Sequence, residues 1–114
     1  MAYTRLNPAS ENPTQAQLGI SISNRNGYTV TLENFNVYGK VVHATIKIKP
    51  SSNVTRADYT YNPCQITGFR ACLNTIVGDH FHGTLNSIGN VWIYPDTNLT
   101  ANSTYEGALA ALLP

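Results

Sequence analysis

One short segment of the chain gathers most of the side chains that could bind a ligand. His80 and His82 stand two residues apart, Asp79 precedes them, and Trp92 and Tyr94 follow. Alternate residues of a β-strand share a face, so the sequence predicts that both imidazoles point the same way. Hydrogen-bonding groups beside flat aromatic faces are typical of a site for a polar, neutral ligand such as a sugar.

The histidine pair is open to three interpretations. With Asp79 nearby it could ligate a metal ion, as strand-borne His-x-His pairs do. A cupin-like metal site would also need a Glu four or five residues after His82, where Asn86 and Ser87 stand. The alternatives are that one histidine packs in the core or an interface while the other is exposed, or that His82 donates to a ligand hydroxyl. We predict no metal and no cofactor.

The orientation of the two aromatic side chains of the segment depends on strand alternation. Trp92 is the only tryptophan, and it alternates with Val91 and Ile93. If Val91 and Ile93 face the core, Trp92 and Tyr94 face outward and form a stacking platform for a sugar ring. The alternative is that Trp92 lies in the core or fills an oligomer interface.

Arg70 is the candidate cation, and it follows Phe69 directly. Its guanidinium is a fixed fork of donors, which pairs with two adjacent hydroxyls or with a phosphate. The alternative is a salt bridge to Asp79, to Glu33 or to a neighbouring subunit.

Catalytic motifs are missing from the sequence. It contains no Gly-x-Ser-x-Gly nucleophile elbow and no Gly-rich phosphate loop. A glycosidase needs two carboxylates at a set separation, and Asp79 with Asp96 is the one plausible pair among acids spread along the chain. We therefore predict that the protein is not an enzyme.

The low charge of the chain and the lack of long apolar runs argue against several classes of function. Charged residues make up 11% of the chain, the net charge is +1, and the basic residues are scattered. Nucleic-acid binding relies on basic patches, so we predict that the protein does not bind nucleic acid. No apolar run approaches the roughly 20 residues of a membrane helix, so no membrane insertion is predicted. The polar first residues lack the apolar core of a secretory signal, which predicts synthesis in the cytoplasm.

The two cysteines, Cys64 and Cys72, do not have the spacing of a zinc site. Two buried thiols and one disulfide both remain open.

Alternating apolar and polar residues predict an all-β domain. Residues 1–16 read as a neck or linker, and residues 17–114 as the domain. Asn26-Gly27 predicts a hairpin, and residues 103–113 are ambiguous between a helix and the favoured closing strand. Frequent turn signals favour an antiparallel barrel or sandwich. The other predicted strands or extended segments are residues 20–23, 28–33, 42–49, 65–73, 75–77, 80–85 and 91–94.

Several short motifs within residues 17–114 carry a resemblance to a known family. They are Gly27–Asn34, the strand Val41–Lys49, Pro63-Cys64, Gly68–Cys72, Phe81–Thr84, Gly89 and Trp92. These motifs resemble the carboxy-terminal head domain of receptor-binding proteins from tailed phages of Gram-positive bacteria, above all the lactococcal siphophages. In those heads a Phe-His-x-Asp strand, a Gly turn and a Trp line the saccharide site.

The resemblance implies a homotrimeric antiparallel β-barrel head at the tip of a phage tail. Such a head would bind host cell-wall or surface polysaccharide without cleaving it, and would join the other tail or baseplate proteins through its N-terminal side. It would be assembled in the host cytoplasm and carried in the virion. The saccharide site would comprise His82, Trp92, Arg70, Asp79, Thr84 and Tyr94.

One departure from the family concerns the carboxylate that grips two sugar hydroxyls. Its position, two residues after His82, is Thr84 in this chain. Asp79 and Asp96 are the candidates to replace it, unless the ligand differs. Two further functions remain as alternatives: a structural tail or decoration domain without a ligand, and a small metal-dependent enzyme on a cupin-like barrel.

Overall fold

The computed structural model describes residues 13–56 and 61–114, and these form an antiparallel all-β domain. This confirms the predicted fold class. None of the described residues belongs to a helix long and apolar enough to cross a membrane. The strands are β1 (Ser21–Asn24), β2 (Tyr28–Tyr38), β3 (Val41–Pro50), β4 (Tyr61–Thr67), β5 (Ala71–Cys72), β6 (Ile76–Gly78), β7 (Phe81–Leu85), β8 (Asn90–Pro95) and β9 (Tyr105–Leu112).

The strands form one nearly closed, barrel-shaped sheet. Their order is β1-β4-β8-β7-β6-β9-β3-β2, and β5 also pairs with β9. The two outer strands of this order, β1 and β2, contact each other and so nearly close the barrel. Closure matters because an exposed strand edge presents unpaired backbone groups.

Alternation along β2 and β3 explains why these long strands line the core. In β3, the buried Val42, Ala44, Ile46 and Ile48 alternate with more exposed polar residues. The same period recurs in β2, where Val30 pairs with Ile48. The apolar face predicted for β3 is therefore confirmed.

The turn at Asn26-Gly27 forms, but the two strands that flank it do not pair with each other. Asn26 and Gly27 both have positive φ, at 56° and 79°, and the amide of Tyr28 donates to the carbonyl of Arg25 over 3.1 Å. Yet β1 pairs with β4, not with β2, so the predicted hairpin is wrong. The amide of Arg25 donates to the carbonyl of Pro63 over 2.9 Å, which ties the turn to β4. Pairing of β1 with β4 thus replaces the local ladder.

The ambiguous C-terminal segment is a strand, as favoured from the sequence. β9 lies between β6 and β3, inside the sheet instead of at its edge. Gly107 lies against Phe81: a Cβ on this glycine would come within 3.0 Å of the ring. A bulkier residue would push β9 away from the core.

The predicted neck falls mostly outside the described residues, since residues 1–12 are not part of them. From Pro13 onward the chain is already folded: the amide of Leu18 donates to the carbonyl of Thr14, and Leu18 and Ile20 are buried. The two cysteines are free thiols, Cys64 in the core and Cys72 half-buried.

Candidate functional site

Four of the predicted site residues lie together on the outer face of the β7–β8 hairpin. His82 pairs with Tyr94 and Thr84 pairs with Trp92 in its register. His82, Thr84 and Tyr94 are exposed, and Trp92 is half-buried. Val91 and Ile93 are fully buried on the opposite face. The predicted outward orientation of Trp92 and Tyr94 is therefore confirmed. We call His82, Thr84, Trp92 and Tyr94 the aromatic platform.

The rings of His82 and Tyr94 stack on one another across the two strands. Their centroids lie 5.0 Å apart and their planes differ by 4°. Directly paired residues of antiparallel strands have Cβ atoms close enough for such contact. The two rings therefore face each other and form one exposed aromatic patch on the outside of the barrel.

Asp96 holds the imidazole of His82 in place. Its Oδ1 lies 2.8 Å from Nδ1 of His82. A carboxylate only accepts, so Nδ1 is the nitrogen that carries hydrogen and donates. In the neutral ring Nε2 is then the acceptor that remains for a ligand. Both side chains are about half exposed, at 47% and 50%, so the contact orients the ring more than it stabilises the fold.

Asp96 itself is placed by the turn between β6 and β7. Its backbone amide donates to the carbonyl of His80 over 2.9 Å. The register that pairs Phe81 with Pro95 brings it there. From the sequence, Asp79 and Asp96 are both candidates for the missing carboxylate, and only Asp79 is among the predicted site residues. The signal that separates them is this register, which no local pattern reveals.

A glycine lets the two strands of the platform approach. A Cβ on Gly83 would lie 2.4 Å from the backbone oxygen of Trp92. Such a contact is too short for any side chain, so the position requires glycine. Beneath it, the buried Phe81 fills the core. The platform therefore rests on a rigid, tightly packed hairpin.

His80 and Asp79 do not join the platform. His80 precedes β7, its Nδ1 lies 3.1 Å from Oδ1 of Asp79, and its ring meets Tyr105 edge-on at 5.1 Å. The two imidazoles therefore have different partners, although the sequence predicts that they share one face of a strand. The reason is that β7 begins at Phe81, so strand alternation does not extend back to His80.

Arg70 lies at the other end of the barrel from Asp79. It lines a groove together with the turn that follows β7, whereas Asp79 lies in the turn that precedes β7. In the described part of the chain, Arg70 forms no ion pair. Its proposed partners are otherwise engaged: Asp79 contacts His80, and Glu33 contacts Lys47.

The outer face of β2, β3 and β9 carries paired charges. Nζ of Lys47 lies 2.6 Å from Glu33 and 3.3 Å from Glu106. The hydrogen bond to Glu33, followed by the one to Glu106, raises the pKa of Lys47. The charge of Lys47 is therefore already neutralised by its neighbours, whereas Arg70 has no acidic partner among the described residues.

No group of three or more His, Cys, Asp and Glu side chains within residues 13–56 and 61–114 is arranged to hold a metal ion. Comparison of the chain with models of protein families, with curated proteins and with solved structures gives no match.

Proposed function

We propose that this domain is a non-catalytic adhesin head that binds a saccharide of the host cell surface. The observation that carries the proposal is the stacked pair of His82 and Tyr94, oriented by Asp96 and flanked by Trp92 and Thr84 on one outer face. Sugars present both C–H faces and hydroxyl edges, and the platform offers partners for both.

The chemistry of the platform suits a neutral sugar ring. The C–H groups of the ring pack against the exposed aromatic side chains of this patch, whose ring faces are apolar. Hydroxyls at the edge of the ring donate to Nε2 of His82 and exchange hydrogen bonds with the Thr84 hydroxyl. The patch is open on one side, so it contacts one face of a ring instead of enclosing it.

An open platform of this size gives weak binding to a single copy. A millimolar dissociation constant corresponds to about 4 kcal/mol. Many linked copies convert later contacts into intramolecular ones, which raises the overall avidity. We therefore propose a homotrimeric head, as the resemblance to phage receptor-binding proteins implies, carried in several copies at a tail tip or baseplate and joined to it through the N-terminal side. Its partner would be the host polysaccharide.

A structural tail or decoration domain without a ligand is the second candidate. Val77 pairs with His82 on the neighbouring strand, and 64% of its side chain surface is exposed. An exposed apolar residue beside His82 of the platform would also suit a face buried between subunits. In that case the platform would pack against a second copy of the chain instead of a sugar.

A binding assay combined with a mass measurement tests the proposal. The purified protein is incubated with cell-wall polysaccharides from several Gram-positive strains, and light scattering on the same sample gives its mass. Strain-selective binding by a particle of three chains supports the adhesin head. A trimer that binds none of them favours the structural domain, and a monomer contradicts the trimeric head.

The single tryptophan provides an internal reporter in the same assay. A ligand on the platform should change the fluorescence of Trp92, because its indole lies half-exposed beside Thr84. Binding without any change of this signal would place the ligand elsewhere on the domain.

A further inference from the structure

A groove of about 200 Å³ lies at the end of the barrel where β7 turns into β8. One wall is the segment 67–71, which links β4 to β5, and the other is the turn 86–89. Ile66, Phe69, Leu85 and Ile88 supply its apolar lining. This groove is distinct from the aromatic platform but adjoins it along β7.

Backbone contacts make both walls of the groove rigid. Gly68 and Gly89 have positive φ, at 106° and 91°, and a Cβ on either would lie within 2.4 Å of a backbone oxygen. The amide of Ile66 donates to the carbonyl of Gly89 over 2.7 Å. Nε2 of Gln65 also donates to the carbonyl of Ile88 over 2.9 Å. The groove is therefore preformed, which lowers the ordering cost of binding.

The side-chain polar groups left in the groove can donate hydrogen bonds. Arg70 is exposed and, among the described residues, has no acidic partner. Oδ1 of Asn86 already accepts from the amides of Ile88 and Asn90, so its amide hydrogens remain. Thr67 and Ser87, which both carry hydroxyls, line the same groove.

The groove carries a positive charge. None of its described lining residues is acidic, and Arg70 is the one cation among them. A guanidinium fork binds two oxygens of one carboxylate or phosphate, and such charge-assisted bonds are stronger than neutral ones.

We propose that this groove binds the oxyanion of an acidic saccharide, either a carboxylate or a phosphate carried on the sugar. The inference rests on the proposed function and adds the ligand's charge to it. Thr84 of the platform lies near the end of β7, and Asn86 of the groove lies in the turn that follows, two residues further along the chain. Two residues of extended chain span roughly 7 Å. One sugar unit on the platform would thus place the charged group of the same unit or its neighbour at Arg70.

The test compares charged and neutral sugars on wild type and on a matched pair of variants. Glucose, glucuronate, glucose 6-phosphate and inorganic phosphate are titrated into the ¹⁵N-labelled protein at millimolar concentrations. Arg70→Gln removes the guanidinium of the groove, and Arg56→Gln removes an exposed guanidinium outside it. Unchanged amide spectra of both variants establish that they are folded.

We expect wild type to bind glucuronate and glucose 6-phosphate more tightly than glucose, with shifts at the amides of Gly68 and Gly89. Arg70→Gln should lower the affinity for both acidic sugars by about tenfold or more and leave glucose unchanged. Arg56→Gln should behave as wild type. A preference for only one of the two acidic sugars identifies whether the groove takes a carboxylate or a phosphate. Either preference supports the proposal.

Several outcomes overturn the inference without affecting the proposed function. Equal affinity for glucose and glucuronate does so, as does an acidic preference that survives Arg70→Gln. Amide shifts caused by phosphate at Lys47 and Lys49 instead of Gly68 and Gly89 indicate non-specific attraction and also overturn the inference.

The opposite outcome separates the two sites. Amide shifts at the groove without any change at the indole of Trp92 support the oxyanion site and contradict the platform.

Discussion

Oδ1 of Asp96 lies 2.8 Å from Nδ1 of His82, while Tyr94 stacks on the same imidazole. One ring is thus fixed in rotation by a carboxylate and in tilt by an aromatic neighbour. A second His–Asp pair, His80 with Asp79 at 3.1 Å, lies outside the platform. The two pairs have similar exposure and differ mainly in what surrounds the imidazole.

The contrast between the two pairs gives the first prediction. Asp96→Ala should weaken saccharide binding by roughly three- to tenfold, because His82 loses its fixed orientation and its tautomer. Asp79→Ala removes an equivalent carboxylate from His80 and should leave binding unchanged. Fluorescence titration of both variants measures this. Equal losses in the two variants would show that overall charge, and not the orientation of His82, governs binding.

Trp92 gives the second prediction. Trp92→Ala should lower the affinity for saccharide by roughly tenfold or more, since an aromatic face is the largest contact of the platform. Light scattering should give the same mass as wild type, because Val91 and Ile93, not Trp92, fill the core on this strand. A variant that dissociates would identify Trp92 as an interface residue and support the structural domain instead.

Strand alternation was enough to predict the outward orientation of Trp92 and Tyr94, because each position depends only on its own strand. The same rule failed for His80, since the start of β7 is set by the turn that Asp79 and His80 form. The strand that pairs with β1 could not be predicted from the sequence either. A local Asn-Gly signal predicts a turn, whereas the pairing of β1 with β4 depends on residues far apart in the chain.

Arg70 illustrates the same limit at the candidate site. Its type indicated an anion or a pair of hydroxyls, but its distance from His82 depends on where the segment 67–71 leaves the sheet. Asp96 was recognisable as an acid near the end of β8, yet its contact with His82 requires the register of the hairpin. Residue types thus predicted the chemistry, and non-local pairing decided which groups meet.

Gly83 gives the third prediction, on stability. Gly83→Ala would place a Cβ 2.4 Å from the backbone oxygen of Trp92, so β7 and β8 must separate. The expected loss is about 1–3 kcal/mol in the free energy of unfolding, together with weaker saccharide binding. Gly39→Ala is the control: a Cβ there meets nothing within 4 Å, and only its φ of 62° is strained. Denaturant titration compares the two, and a larger loss for Gly39→Ala would contradict the close approach.

Ile46 gives the fourth prediction. Its side chain is fully buried at the centre of β3, so Ile46→Ala should cost about 2–5 kcal/mol in the free energy of unfolding. Val77→Ala removes methyl groups from an exposed strand residue and should change stability by no more than about 0.5 kcal/mol. Urea denaturation measures both. A large loss for Val77→Ala in the assembled protein would reveal a buried subunit contact on that face.

The fifth prediction concerns the two thiols. Burial raises the pKa of the Cys64 thiol to about 12, and the thiolate is the reactive form. A thiol reagent at pH 8 should therefore modify Cys72 first in the native protein and reach Cys64 only on unfolding. Cys72→Ser tests this by leaving Cys64 as the single thiol, and fast native labelling of that variant would contradict the burial of Cys64.

The same pKa shift fixes a pH dependence of stability. Below the unfolded pKa of 9.0 the thiol is protonated in both states, so the contribution of Cys64 is fully present. Above it the unfolded chain loses the proton while the native protein keeps it until about pH 12, so stability falls with rising pH. The slope from one such group is about 1.4 kcal/mol per pH unit. Between pH 8 and pH 10, Cys64→Ala should therefore lose about 1 kcal/mol less than wild type in urea denaturation. Parallel losses in the two proteins would show that Cys64 does not govern this alkaline instability.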